Sequence, residues 1–311
     1  MAFELKGRRV WIAGHRGMVG AALLRRLQRE PVTLLAADRA ALDLRRQADV
    51  ETWVEKNKPE AIIIAAAKVG GIKANDAYPV DFLYDNLAIQ TNILRAAAEQ
   101  GVARVMVLGS SCVYPKLAEQ PIKEETLLTA PLEPTNQWYA LAKIAAMKLA
   151  ESYRRQHGRD FVSVVPTNLY GPGDNFDLEQ GHVISALMRK IHEAKQAGRD
   201  AVEIWGTGNP KREFVFVDDA ADGLVFLLQN YAGEDPINLA GGEEVSIREL
   251  AGLLAEIINY QGRFEYLTDR PDGMPRKLLD SQRISKMGWV PSTSLRDGLM
   301  ATYRWFAQTR L

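Results

Sequence analysis

The sequence predicts a doubly wound parallel α/β sheet carrying a smaller mixed α/β domain, on three observations. Strand-like and helix-like segments alternate through the first half of the chain. The run Ala61-Ile62-Ile63-Ile64-Ala65 is apolar on both faces, as a central strand of a parallel sheet must be. Three glycines, Gly14, Gly17 and Gly20, follow the first strand and open the first helix. Alternation in this order requires right-handed crossovers onto a single sheet.

Each element follows from local chemistry. Residues 9–13, with Val10, Trp11 and Ile12 at their centre, predict a strand, and 18–29 continue as a helix. A strand at 32–36, a helix at 47–58 and the apolar strand at 61–65 come next. Helix 81–100, strand 104–108, the long helix 136–157 and strand 161–165 complete the alternation. The rhythm changes after Pro166. Residues 170–180, rich in Gly, Pro, Asp and Asn, predict a loop. A helix at 182–197, a strand at 203–205 and the turn Gly206-Thr207-Gly208-Asn209-Pro210 follow. Short strands at 214–217 and 237–239 are expected to return to the first sheet, and an amphipathic helix covers 295–308. With no repeat, low-complexity tract or flexible linker, the second domain is expected as a tightly packed cap of interleaved segments. The expected division is 1–168 plus about 213–240 for the sheet domain, and about 169–212 plus 241–311 for the cap.

Composition narrows the function classes. The 311 residues carry 39 basic and 39 acidic side chains, so bulk electrostatic binding of nucleic acid or an anionic membrane is not expected. The single cysteine, Cys112, allows no intrachain disulfide, and with four histidines it shows no spacing for a metal site. The first residues run through charge into a strand with no signal-peptide core. The longest apolar run, 61–67, falls far short of the roughly 20 residues of a membrane span. A soluble, cytoplasmic protein is expected.

Gly14-His15-Arg16-Gly17-Met18-Val19-Gly20 sits between the first strand and first helix of a βαβ unit. A dinucleotide needs this arrangement: a tight turn, backbone N–H groups close to the pyrophosphate, and a helix amino end facing the anion. The sheet domain is therefore expected to be a Rossmann-type cofactor domain. Arg16, and Arg39 after the second strand, suit a 2′-phosphate, whereas Asp38 stands where an acid would hydrogen-bond the ribose hydroxyls of NAD. The two arginines favour NADP(H).

Tyr139 and Lys143 lie four apart on one face of a predicted helix. An adjacent ammonium would favour the phenolate and lower the tyrosine pKa, giving a proton donor usable near neutrality. In a chain with ten tyrosines the spacing alone is weak. Gly109-Ser110-Ser111 at the end of a strand strengthens it, because open α/β sheets bind ligands at strand carboxyl ends. Ser110 suits a hydrogen bond to a substrate carbonyl.

Together the glycine turn, the serine and Tyr-x-x-x-Lys resemble the extended short-chain dehydrogenase/reductase superfamily. Longer strings resemble one family within it, the GDP-L-fucose synthases. They are Ile12-Ala13-Gly14 through Gly20, Ala65-Ala66-Ala67-Lys68-Val69-Gly70-Gly71-Ile72, and Leu108-Gly109-Ser110-Ser111-Cys112-Val113-Tyr114-Pro115-Lys116. Pro166-Thr167-Asn168-Leu169-Tyr170-Gly171-Pro172, Asp174-Asn175-Phe176 and Arg212-Glu213-Phe214 also match, as do Pro271-Asp272-Gly273 and Arg276-Lys277-Leu278-Leu279-Asp280. The likeness spans nearly the whole chain.

This resemblance implies a homodimer that epimerises GDP-4-keto-6-deoxy-D-mannose at carbons 3 and 5 and reduces it at carbon 4 with NADPH, giving GDP-L-fucose. Tyr139 would protonate the carbonyl oxygen during reduction. Epimerisation needs a further acid/base pair, which the family pattern assigns to Cys112 and His182, residue types that titrate near neutrality when tuned. If residues 110–112 are extended, Ser110 and Cys112 point to the same side. The pattern puts Lys190, Trp205, Arg212 and Asp280 at the GDP moiety, with Arg212 suited to a bidentate grip on an anion and Trp205 to stacking. At the cofactor it implies the glycine turn, Leu108, Gly109, Ser110, Ser111, Lys143, Pro166, Thr167, Asn168, Leu169 and His182. The chain departs from the pattern at Gly181 (commonly serine), Ser185 (usually proline), Gln137 (commonly glutamate), Lys190 (often arginine) and Asp38 (not usually an acid). None of these removes a proton-transfer group. The alternatives are the same chemistry on a colitose-type GDP-keto sugar and a non-catalytic cofactor sensor; loss of Tyr139 or Lys143 would have favoured the sensor, and both are present.

Overall fold

Strands and crossover helices form in the predicted order, with differences at their edges. The computed structural model describes residues 2–270 and 272–309; Met1, Arg310, Leu311 and the Pro271 of the matched string lie outside the described residues. β1 (Arg9–Ala13) leads into α1 (Met18–Leu27), β2 (Thr33–Leu35) into α2 (Gln47–Asn57), and β3 (Ala61–Ile64) into α3 (Ile72–Ala77) and α4 (Pro79–Glu99). β4 (Arg104–Leu108) is followed by single 3-10 turns and then α5 (Gln137–His157), which returns the chain to β5 (Phe161–Pro166). Beyond it lie β6 (Asn168–Tyr170), α6 (Val183–Gln196), β7 (Ala201–Trp205), β8 (Lys211–Phe216), α7 (Val217–Asn230) and β9 (Ile237–Leu239). The chain finishes through β10 (Glu243–Ser246), α8 (Ile247–Ile258), β11 (Arg263–Leu267), β12 (Arg276–Lys277), α9 (Gln282–Lys286) and α10 (Leu295–Thr309).

The large sheet has the order β2-β1-β3-β4-β5-β9, parallel throughout. Its two faces build separate cores. Trp11, Ile62, Ile64, Val105 and Val107 face one cluster with residues of α2, α4 and α5, while Val10, Ile12, Ile63 and Met106 face another with α1 and α7. Every side chain of β3 is fully buried, as a double-sided apolar run requires. Each such isoleucine contributes roughly 1.5–3 kcal/mol of burial free energy.

A second sheet of order β10-β8-β12, with β6 also pairing β8, and the parallel pair β11–β7 surround a third core around Phe176, Met188, Phe214, Leu254 and Phe306. The strand predicted at 214–217 therefore does not return to the large sheet. β9 takes the edge of β5, and β6 leaves that sheet and pairs residues 168–170 with Phe214–Phe216. Two further expectations change. Helix α3 precedes the predicted helix, which itself starts earlier because Pro79 occupies its first turn, where proline is tolerated. Residues 111–113 form a 3-10 turn rather than a continued strand, so the premise that put Ser110 and Cys112 on one side does not hold.

Buried polar groups join the two sheets. Glu213 of β8 is 1% exposed; its Oε1 accepts from the Gly241 and Gly242 amides at 2.7 and 3.1 Å, and its Oε2 from the Leu279 amide at 3.3 Å. Asn238 of β9 donates to the Ile122 and Asp280 carbonyls at 3.0 and 3.2 Å and accepts from the Tyr114 hydroxyl at 2.6 Å. Gln120 Oε1 accepts the Leu278 amide at 2.7 Å, and Ile122 exchanges backbone bonds with Leu278 and Asp280. These bonds fix the segment 276–280 against the end of the large sheet.

Candidate active site

The glycine turn, residues 108–112 and residues 166–169 lie at the carboxyl ends of β1, β4 and β5, where this topology opens a crevice. Gly14 has φ +91°, and a Cβ there would stand 2.6 Å from the Ala66 Cα; a Cβ on Gly20 would stand 2.2 Å from the Gly14 carbonyl oxygen. Both positions require glycine because the turn folds onto itself and onto the exit of β3. Gly17 is different, since its Cβ would meet only the Gly14 oxygen at an ordinary 3.6 Å. It caps α1 in extended conformation without a side-chain cap, so the first helical N–H groups face outward for an anion. The turn thus fits the pyrophosphate of a dinucleotide. Met18 and Val19 pack beneath it.

His15 Nε2 and Arg16 Nη1 lie 3.3 and 3.4 Å from Asp38 Oδ1. The acid that departs from the family pattern is therefore engaged by two groups of the turn. Arg39 stands exposed beside it.

At the reaction centre, Lys143 is buried and donates to the Leu108 carbonyl at 2.8 Å, with its Nζ 5.6 Å from the Tyr139 ring centre. A Cβ on Gly109 would press to 2.8 Å on Met147 Sδ, so glycine lets α5 sit close against the end of β4. Burial pushes the Lys143 ammonium down to about 8, against the opposing charge of Cys112. Burial pushes the Tyr139 phenol up, and the Cys112 charge adds to it. The expected lowering of the tyrosine pKa does not occur here. The ammonium bonds a carbonyl rather than the phenol oxygen, and desolvation dominates.

Cys112 is buried in the 3-10 turn. Burial raises its thiol pKa, opposed by the Lys277 ammonium, a hydrogen bond with Ser110 and the Lys143 ammonium. Ser110 and Cys112 thus still meet, because the turn brings the thiol back to the preceding hydroxyl. Beside them, Thr167 donates its amide to the Leu239 carbonyl at 3.0 Å and Asn168 Nδ2 bonds the Glu213 carbonyl at 2.8 Å. Pro166 ends β5, and Leu169 packs on the core below.

Lys277 was not singled out from the sequence. It pairs in parallel register with Arg212, so both side chains share one face of the second sheet. Burial lowers the pKa of each, and neither forms an ion pair among the described residues. Two desolvated cations side by side call for an anionic ligand. The signal was the string Arg276 through Asp280, but only knowledge of β12 and its register turns Lys277 towards Cys112.

His182 caps α6 and places Nδ1 3.2 Å from Asp174 Oδ1. The Asp174 side chain is 4% exposed and that of His182 46%. The loop that carries Asp174 lies over the glycine turn, where a Cβ on Gly173 would reach within 3.6 Å of the Met18 Cα. On the other side, Gly71 donates its amide to the Gln180 carbonyl at 2.8 Å. Two departures gain a local reason. A Cβ on Gly181 would stand 2.4 Å from the Asp177 oxygen, so this loop admits only glycine, and Ser185 bonds back to the His182 carbonyl at 3.1 Å. Gln137 bonds the Pro134 carbonyl at 3.2 Å, which steadies the start of α5.

Further out, Lys190 lies 5.9 Å from the Trp205 ring centre, and Arg270 approaches the same ring at 5.6 Å. Asp272 accepts the Thr207 amide and hydroxyl at 2.6 and 2.8 Å, and a Cβ on Gly273 would lie 3.7 Å from Arg212 Nη2. Trp205 is half-exposed at the rim, and Lys277 is acted on by both its register partner Arg212 and the buried Cys112. Asp280 stands apart: it is buried, and its Oδ1 accepts the Gln282 amide at 2.8 Å at the start of α9.

Comparison with known proteins agrees with this geometry. Residues 10–240 match the model of the NAD dependent epimerase/dehydratase family. GDP-L-fucose synthase 1 of Arabidopsis thaliana is 54% identical over 302 residues, covering 97% of this chain and 94% of that one. The GDP-L-fucose synthase of Sinorhizobium fredii is 52% identical over 304 residues, covering 98% and 97%. A GDP-L-colitose synthase of Yersinia pseudotuberculosis, at 36% identity over 300 residues, is more distant (96% and 97% covered). Among solved structures, a GDP-L-fucose synthetase of Naegleria fowleri bound to NADP superposes with a TM-score of 0.89 at 30% identity, covering 99% of this chain and 96% of that one.

The pairing of Asp38 with Arg16 makes a prediction. Asp38→Asn should release the guanidinium for a 2′-phosphate and raise the NADPH-over-NADH ratio of kcat/KM by roughly fivefold, about 1 kcal/mol of charge-assisted bonding. An unchanged or reversed ratio would show that Asp38 does not restrain Arg16.

Proposed function

Since the chain belongs to the NAD dependent epimerase/dehydratase family and, within it, to the GDP-L-fucose synthases, we propose that it epimerises GDP-4-keto-6-deoxy-D-mannose at carbons 3 and 5 and reduces carbon 4 to give GDP-L-fucose. The observation that carries this reading is a thiol, Cys112, buried in the same site as Tyr139 and Lys143 and acted on by the Lys143 charge. A reductase needs the tyrosine and lysine; the thiol is the extra proton-transfer group that epimerisation demands. The colitose-type alternative is not favoured, its representative being the more distant relative.

The chemistry begins at the ketone, which acidifies the protons on carbons 3 and 5. The Cys112 thiolate takes one of them, and the His182 imidazolium returns a proton to the opposite face through Nε2. Asp174 raises the His182 pKa, which suits it to hold the donated proton; burial raises the Cys112 pKa, and the Lys277 and Lys143 charges oppose that rise. Each cycle leaves a thiol and a neutral imidazole, reset by exchange with solvent. The Ser110 hydroxyl is assigned to the enolate oxygen formed at carbon 4. When bound, NADPH supplies the hydride for carbon 4. Tyr139 gives its hydroxyl proton to the oxygen at that stage, and the Lys143 ammonium beside it stabilises the phenolate left behind. Arg212 and Lys277 are the cations proposed to meet the diphosphate side of the substrate, with Lys190 and Trp205 at the nucleotide end.

Assembly as a homodimer is supported by an apolar stripe on α4 and α5. Val80 and Tyr84 on α4 are 73% and 65% exposed, and Trp138 and Leu141 on the neighbouring α5 are exposed as well. Large apolar groups at helical spacing on two packed helices suit a symmetric four-helix contact. Sedimentation should give twice the 34.6 kDa chain mass for the native protein and the chain mass for Tyr84→Glu combined with Leu141→Glu; an unchanged mass in the double variant would remove this stripe from the interface. No described helix is long and apolar enough to cross a membrane. The free thiol required for catalysis suits a reducing compartment, in keeping with a cytoplasmic enzyme.

The reaction is tested in deuterated water with NADPH and the keto sugar nucleotide. Deuterium should enter at carbons 3 and 5 of the product; reduction with no deuterium at either carbon rules out epimerisation. Cys112→Ser should slow that incorporation by on the order of a hundredfold or more while NADPH binding stays near the native value. Normal turnover in Cys112→Ser would make the thiol structural.

A further inference from the structure

The His182 ring has one nitrogen fixed and one free. Nδ1 faces Asp174 Oδ1 at 3.2 Å, whereas Nε2 has no protein partner among the described residues. Asp174 is an unusual neighbour. Its carboxylate is almost fully buried, its Oδ1 also accepts the Asn175 amide at 2.7 Å, and its Oδ2 finds no hydrogen-bond partner. A buried carboxylate with an unsatisfied oxygen is costly unless an opposite charge stands beside it. Of the charged side chains on the elements around the ring, Asp174 is the titratable group that acts on His182. Gly71, whose amide meets the Gln180 carbonyl two residues before His182, brings no charge. The loop is built to hold this contact: Gly171 and Gly173 have φ +153° and +88°, and the Gly181 position admits no side chain.

We propose that Asp174 is a positioning residue for the proposed epimerisation: it accepts a hydrogen bond from His182 Nδ1–H and so keeps Nε2 as the nitrogen that exchanges protons with the sugar. A ring free to turn would present either nitrogen and either tautomer. Held by Asp174, it carries hydrogen on Nδ1 in the neutral state, so that after donation only Nε2 is open to be reprotonated. The carboxylate also favours the imidazolium, extending towards higher pH the range over which His182 is a donor. No covalent change occurs at Asp174; its proton count stays constant through the cycle.

This inference rests on the functional reading above, so its test has an arm that needs no substrate. In the native enzyme the ring of His182, identified among the four histidines by its loss in His182→Gln, is titrated by nuclear magnetic resonance. Asp174→Asn should lower its pKa by about one unit or more, a tenfold change in the protonation equilibrium, and abolish the preference for hydrogen on Nδ1. In deuterated water the same variant should incorporate deuterium at carbons 3 and 5 roughly tenfold to hundredfold more slowly. The alkaline limb of its pH profile should move to lower pH, because a His182 of lower pKa deprotonates earlier. Asp174→Glu should recover part of both effects, and NADPH affinity should hold in all three proteins as the check on folding. An unchanged His182 titration in a folded Asp174→Asn variant overturns the proposal, as does a rate loss equal at every pH. If native protein incorporates no deuterium, the functional reading fails, and the titration still decides whether Asp174 sets the tautomer.

Discussion

Glu213 is a charge buried where no helix or strand can satisfy it alone, and its hydrogen bonds reach into segments far apart in the chain. Taking a carboxylate out of water carries a penalty of several kcal/mol unless donors meet it. Here the donors are the amides of Gly241, Gly242 and Leu279. Gly242 admits no Cβ, which would stand 2.0 Å from the Phe214 carbonyl oxygen, so the turn after β9 is moulded directly onto β8. The residues flanking this knot are functional candidates: Arg212 precedes the carboxylate, and Lys277 and Asp280 lie two before and one after Leu279. Satisfying one buried carboxylate thereby sets Lys277 beside Arg212 and towards the thiol of Cys112.

The centre so assembled is dominated by desolvation. Burial shifts Tyr139 and Cys112 up and Lys143, Lys277 and Arg212 down, each towards its neutral form. The neighbouring charges push the thiol and the ammonium groups back. The Lys143 ammonium, pushed down to about 8, changes protonation at small cost near neutrality, which suits a site that moves protons at carbons 3 and 5 and at the oxygen on carbon 4. His182 is the exception, raised rather than neutralised, because a buried carboxylate faces it directly. Zero net charge is consistent with all of this, since the cations are few, local and inside the crevice.

Much of this was legible in the sequence for physical reasons. The large sheet showed because double-sided burial writes continuous apolar runs such as 61–65, and the glycine turn because steric exclusion leaves only glycine at 14 and 20. Tyr139 and Lys143 could be paired because helical spacing is local. The partners of β8 were not legible: edge competition between β6 and β9 is a contest of segments distant in sequence, and residues 214–217 look the same in either sheet. The rise in the Tyr139 pKa was hidden for a related reason. Helical spacing shows that the lysine is near but not that its ammonium bonds the Leu108 carbonyl. Asp174 and Lys277 stood inside matched strings without a role, since a loop contact and a register pairing in a two-residue strand leave no periodic trace.

The proposed reaction uses two separable sets of groups: Cys112 and His182 for proton exchange at carbon, and Tyr139 with Lys143 for protonation at oxygen during reduction. Following Tyr139→Phe in deuterated water with the keto sugar nucleotide and NADPH tests this separation most directly. Oxidation of NADPH should fall by on the order of a hundredfold or more, while deuterium continues to enter carbons 3 and 5 of the unreduced ketone. Loss of deuterium exchange in step with loss of reduction would contradict it, because the two sets would then act as one.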